Sequence, residues 1–165
     1  MDNKTKNPII YELSTMAQLT YADSHQNAYY TQLAQDAKEV EVSSVFDVFT
    51  ADEVLTILRV VEPKKRQCYR NSALMTELFP DRCKYVEGYG WNGIFKVEHA
   101  FNRIGDKYID ITYELALGVD VSELPYVALI EADRDEIISD IEAHDNTTGD
   151  YYLHTFLKNS NTARQ

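Results

Sequence analysis

Cysteine is scarce in this chain: Cys68 and Cys83 are the only two among 165 residues. That number excludes the disulfide framework of a small secreted domain. With one histidine nearby, it also fails to make a four-ligand zinc site. Counting alone allows one bridge between Cys68 and Cys83. His25, His144 and His154 have no partner ligands at metal spacing, so neither a metal nor a cofactor is expected. No apolar run approaches the roughly 18 residues that span a bilayer. The opening stretch MDNKTKNPII lacks the apolar core of a secretory signal, so the expectation is a cytoplasmic protein with no membrane partner. Basic residues are outnumbered 16 to 27 by acidic ones, giving a net charge of -11. Such a chain is not built to neutralise phosphates, and no nucleic-acid partner is expected. Only six glycines occur, and Gly88, Gly90 and Gly93 read as hairpin punctuation rather than a phosphate loop. Repeats and Gly/Ser/Pro-rich linkers are missing, which suits one domain over residues 1–165.

Hydrophobic residues make up 44% of the chain and aromatic ones 12%, enough for a sizeable core. Residues 9–40 favour helix, with Asp23 or Ser24 as an internal cap. Thr50 and Glu53 form a capping box. Val54, Leu55, Leu58 and Val61 follow on one predicted helical face, and Pro63 stops the helix. After the basic loop Lys64, Lys65, Arg66, a second helix is expected over residues 68–78, with Ala73, Leu74, Leu78 and Phe79 on its apolar side. Strands are expected at 84–89, 94–102 and 107–112, with turns at 90–93 and at Gly105-Asp106. A further strand at 126–130 and a helix from Asp133 with Ile137, Ile138 and Ile141 inside complete the order. Gly149 precedes a last aromatic-rich helix. Helices, then an antiparallel β-sheet meander, then helices make an α+β pattern.

Within this order, Cys68, His99 and Asp110 carry the parts of an activated thiol: sulfur, base, and a carboxylate to orient the base. Cys68 falls at a predicted helix start, where free amides and the helix dipole favour a thiolate and can receive an oxyanion. With a two-residue turn at Gly105-Asp106, Ile104 faces Lys107 and His99 faces Thr112. Asp110 then lies diagonally beside His99 on one face of the sheet. A slip of one residue would separate them. Taken singly, Cys68 reads as a buried structural thiol, His99 as a half-buried strand histidine and Asp110 as solvent-facing. Gln67 and Tyr69 flank the sulfur and are candidates for substrate binding. Trp91 and Asn92, in the expected turn, are candidates for lining a groove. Cys83 is expected to pack against the sheet.

The stretches CYRNSA, EHAFN and DIT resemble the transglutaminase-like branch of the papain-type cysteine enzymes. There the cysteine opens a helix, the histidine sits in an HAW strand and the aspartate in a DPT strand. The likeness covers residues 67–114, with the site core at about 64–114. Phe101 stands in place of the tryptophan and Ile111 in place of the proline. The resemblance implies a papain/transglutaminase-like core and a Cys68-His99-Asp110 triad acting on an amide, as peptidase, amidase or glutamine deamidase. It equally admits an amine-accepting transglutaminase or acetyltransferase. A protein or peptide substrate is expected in either case. The competing expectations are a non-catalytic acidic binding protein on the same fold, and a redox-regulated protein using the two cysteines.

Overall fold

The computed structural model of the protein describes residues 7–144. Its helices begin where the sequence supplies caps. Asn7 accepts a hydrogen bond from the Ile9 amide and Pro8 fills the first turn of α1 (Pro8–Gln18), where a missing N–H costs nothing. Asp23 caps α2 (Ser24–Asp36) through the amide of His25. The reciprocal Thr50–Glu53 box opens α3 (Ala51–Val60). α4 (Cys68–Leu78) starts on the cysteine itself, and its preceding residue, Gln67, provides no side-chain cap. Asp133 and Glu136 each accept the other's backbone amide with a side-chain carboxylate at the start of α5 (Arg134–His144). No helix among the described residues is long and apolar enough to cross a membrane.

The strands are β1 (Lys38–Val40), β2 (Cys83–Trp91), β3 (Lys96–Ile104), β4 (Lys107–Ile109) and β5 (Tyr126–Ala132). They form one antiparallel sheet in the order β1-β5-β2-β3-β4. The sheet curls until its two edges approach: Val42, just past β1, bridges to Tyr108 of β4, and the Ser43 amide donates to the Tyr108 carbonyl. Val86, Phe101, Tyr108 and Tyr126 fill the inside of the curl with Val40, Val42 and Val121. Alternate residues of β2 face outward. At one end they pack under α4 and α5, in a cluster of Cys68, Tyr85, Ala100, Ala132 and Ile137. At the other end Tyr89 and Val127 pack with Ile9, Leu13 and Leu33 of α1 and α2. The architecture is α+β.

The register expected at Gly105-Asp106 holds, with Ile104 opposite Lys107 and Gly105 at φ 61°. Gly105 alone has positive φ in this turn, as a II′ hairpin requires of its first central residue. Several expectations are refined by the structure. Residues 38–40 are an edge strand, not helix, because β5 offers them a ladder of backbone partners. The strand predicted at 107–112 ends at Ile109. Thr112 to Ala116 then form a single π-type turn, so Thr112 does not pair with His99. Helix α3 buries Val54, Ile57 and Val61, whereas Leu55 and Leu58 are 48% and 42% exposed. The buried positions are spaced i, i+3, i+7, and the two leucines lie one step round the helix. Helix α4 turns Asn71, Ser72, Met75 and Thr76 inward, leaving Ala73, Leu74 and Leu78 half-buried. Ala73, Leu74, Leu78 and Phe79 do pack against the core clusters, while the most buried positions are fixed by hydrogen bonds made by Asn71 and to Ser72.

Gly88 and Gly90 also lie inside β2, not in a turn. Gly88 sits at a bulge where a Cβ would be 1.9 Å from the Val127 carbonyl oxygen, so only glycine lets β5 approach. Gly93, at φ 99°, is the turn glycine. The side chains of Ile141 and His144, along with Gly149 and His154, lie outside those described.

Candidate functional site

Every side chain of the site is placed by an element whose sequence logic is visible. His99 projects from β3 into the curl, opposite Gly88 and one pleat from Phe101. The ring is 3% exposed. It lies over Gly90, where a Cβ would be 3.5 Å from the imidazole, an ordinary contact distance. Asp110 follows β4 directly and is completely buried. Its Oδ2 is 2.6 Å from His99 Nε2 and accepts a hydrogen bond from the Tyr126 hydroxyl at 2.8 Å. Its Oδ1 accepts the Thr112 and Tyr113 amides, both at 3.0 Å. The π-type turn after β4 thus doubles as an amide clamp on the carboxylate. Such local turns recur where a side chain must be held for chemistry.

The Cys68 thiol lies near enough to the His99 ring to help raise its pKa. With Nε2 taken by Asp110, Nδ1 is the nitrogen left for sulfur. The approach is possible because β4 pairs only residues 102–104 of β3. Beside His99 the strand edge is open, and the N-terminus of α4 reaches it there. Cys68 is 9% exposed, at the margin of the buried cluster around Tyr85 and Ala100.

The electrostatics follow from this arrangement. Burial pulls the His99 pKa down, but the Asp110 charge, its hydrogen bond and the nearby Cys68 thiol outweigh that and raise it to about 10. The imidazole is therefore held protonated at neutral pH, as a buried partner to carboxylate and sulfur. Tyr113 covers the ring at 4.5 Å between centroids. Its hydroxyl is pushed up to about 12 by burial, then by the charges of Asp110 and Cys68. Cys83 is a contrast: burial drives its thiol up to about 12 despite Asn102 and Arg82 nearby. Both cysteines are free thiols, and Cys83 packs in the cluster between α3, α4 and the sheet.

Two asparagines that the sequence reading passed over fix the geometry. Asn71 is wholly buried and donates to the Lys64 carbonyl at 2.8 Å and to the Thr112 hydroxyl at 2.9 Å. Its own carbonyl accepts the Lys64 amide at 3.1 Å. It therefore ties the loop before Cys68 to the residue that clamps Asp110. Asn102 donates to the Ser72 carbonyl at 2.9 Å and the Lys84 carbonyl at 3.2 Å, pinning α4 to the sheet. An Asn three residues after the cysteine, C-x-x-N in CYRN, was the available signal for the first. Nothing local marks the second, because its partners are distant in sequence.

The remaining candidates are more dispersed. Gln67 is exposed and Tyr69 half-buried beside the thiol, packing with the Cys68 cluster. Trp91 faces outward from β2 and packs with the α1/α2 cluster, on the side of the sheet away from the His99 ring. The Asn92 side chain accepts the Ile94 and Phe95 amides, both at 3.0 Å, and organises its own turn. Neither joins Cys68 and His99. Lys64, Lys65 and Arg66 are exposed, and Arg66 has φ 60°. Among the described residues no cluster of three His, Cys, Asp or Glu side chains could hold a metal ion. No known protein family, curated protein or solved structure matches the chain.

Proposed function

We propose that this chain is a cysteine-dependent acyl-transfer enzyme that hydrolyses an amide bond in a protein or peptide, on a papain/transglutaminase-like core. One observation carries the reading: the Asp110 carboxylate holds the buried His99 imidazole through Nε2, and the Cys68 thiol at the start of α4 lies near enough to the same ring to help raise its pKa. A structural histidine needs one good partner. A thiol on its other nitrogen, at the start of a helix, is the arrangement of an activated nucleophile.

In this reading the Cys68 proton resides on His99 and the sulfur attacks the substrate carbonyl. The first-turn amides of α4, which Gln67 leaves without a side-chain cap, face the developing oxyanion. His99 then protonates the departing amine, leaving a thioester on Cys68. A water, deprotonated by His99, releases the acid and restores the thiol. Asp110 stays ionised and holds the imidazole in orientation. Tyr113 keeps water from the ring, and Tyr69 and Gln67 line the approach to sulfur.

Alkylation with iodoacetamide at neutral pH, followed by mass-spectrometric mapping, tests the site. Cys68 should label faster than Cys83 by an order of magnitude or more. His99→Ala should abolish the difference while His25→Ala leaves it. Equal labelling of both cysteines in the folded parent would overturn the proposal. It would favour instead a binding protein on the same fold.

A further inference from the structure

Two tyrosine rings flank the His99–Asp110 pair, and their hydroxyls differ. Tyr126 donates its hydroxyl to Asp110 Oδ2 at 2.8 Å. Tyr113 meets the same carboxylate through its backbone amide, 3.0 Å from Oδ1, and its hydroxyl has no hydrogen-bond partner among the described residues. A phenol hydroxyl beside a buried charged pair ordinarily finds an acceptor there, as Tyr126 does. The Tyr113 side chain is only half-buried, so a bound molecule can reach it.

The ring is held from three sides. It lies on the His99 imidazole, 4.5 Å between centroids, and packs against the cluster inside the curl. Its backbone is fixed by the π-type turn that clamps Asp110. The residue before it, Thr112, accepts a hydrogen bond at 2.9 Å from Asn71, three residues after Cys68 in α4. That buried bond ties the turn carrying Tyr113 to the first turn of α4, so the tyrosine and the sulfur are positioned together. Cys68 lies near enough to the Tyr113 hydroxyl to add to its raised pKa, after burial and Asp110. At about 12 the hydroxyl stays protonated at neutral pH, and a protonated phenol donates to negative charge.

We propose that the Tyr113 hydroxyl is a side-chain donor to the oxyanion formed when Cys68 attacks a carbonyl, acting beside the first-turn amides of α4. The assignment rests on the thiol reading above, and its test separates the two. As the C–S bond forms, the carbonyl π pair moves onto oxygen. Tyr113 donates a hydrogen bond to that oxygen and keeps its proton. When the C=O bond reforms, the leaving group departs and the hydroxyl is released. Iodoacetamide alkylates sulfur by displacing iodide from a saturated carbon, with no oxyanion, whereas p-nitrophenyl acetate acylates it through one. Both reactions are followed at Cys68 by mass-spectrometric mapping in the parent and in Tyr113→Phe, with Cys68→Ala giving the background release of p-nitrophenolate. Tyr113→Phe keeps the ring over His99 and has no hydroxyl bond to lose, so its melting temperature should stay parental. Loss of one oxyanion donor costs about 10²–10³ in turnover, and an activated ester, with its earlier transition state, should show a fall of at least about tenfold in acylation. Iodoacetamide labelling of Cys68 should stay within about twofold of the parent, because the thiol and its imidazole are untouched. Equal acylation of the parent and Tyr113→Phe overturns the donor and leaves the thiol reading standing. A parallel fall in both rates also overturns it, since the hydroxyl would then act on the thiol itself. Equal iodoacetamide labelling of Cys68 and Cys83 in the parent overturns the thiol reading and the donor together.

Discussion

Asp110→Asn looks conservative, and near-isosteric replacement suggests from sequence that folding should change little. The surroundings of Asp110 give a different result. The carboxylate accepts four hydrogen bonds while completely buried. An asparagine carbonyl can still take the Thr112 and Tyr113 amides at Oδ1. Its amide nitrogen then faces His99 Nε2 and the Tyr126 hydroxyl, two groups that donate to it now. The imidazole escapes by moving its proton to Nδ1, but that is the nitrogen facing Cys68, so it can no longer take the thiol proton. The Tyr126 hydroxyl loses its acceptor inside the curl, where a stranded buried donor costs about 1–3 kcal/mol. For a chain of this size each kcal/mol lowers the melting temperature by roughly 2–4 °C, so a drop of about 2–12 °C is expected. Turnover should fall by about 10³–10⁴, the scale of an Asp→Asn change in a Ser-His-Asp triad. Iodoacetamide labelling of Cys68 at neutral pH should fall by at least about tenfold, because the imidazole can no longer take the thiol proton. The assay pairs a thermal melt with the labelling rate on the same sample. A folded variant with parental labelling would remove Asp110 from the triad. An unchanged melting temperature would refute the four-bond description.

Other perturbations probe the same network. Tyr126→Phe removes one bond to Asp110 and should cost about 1.5–3 kcal/mol, visible in a denaturant midpoint, while slowing Cys68 labelling less than Asp110→Asn does. Gly88→Ala drives a Cβ into the Val127 carbonyl and should destabilise the protein severely, whereas Gly90→Ala meets the His99 ring at ordinary contact distance and should fold. Parallel thermal melts decide between them. The folded-state pKa of His99 is raised above its unfolded value, so its contribution to stability is full below about pH 6.5 and is lost as pH rises through about 10. Melting temperature should fall across that window in the parent and more shallowly in His99→Gln, and identical slopes would contradict the pairing.

Much of this was written locally. The Thr50–Glu53 box, the Asp23 cap and the II′ turn at Gly105 depend on residues within four positions of each other, and each appears where its residues are. Because that turn sets the register, the sequence alone determined that His99 and Asp110 share one face of the hairpin. Cys68 opens α4 for the same reason: Pro63 and the basic loop end one helix before it. What the sequence could not specify depends on partners far along the chain. Residues 38–40 became a strand only because β5 runs beside them. The most buried positions of α4 were fixed by Asn71 and by the bond from Asn102 to Ser72. Gly88 looked like a turn residue until β5 came within contact of it. The fourth hydrogen-bond donor to the Asp110 side chain, Tyr126, lies on β5, the other neighbour of β2. Only the curl of the sheet brings it across to β4. Backbone signals act over a turn of chain, whereas a buried carboxylate recruits donors through space, so the juxtaposition of His99 and Asp110 was legible in the sequence and the shell that holds it was not.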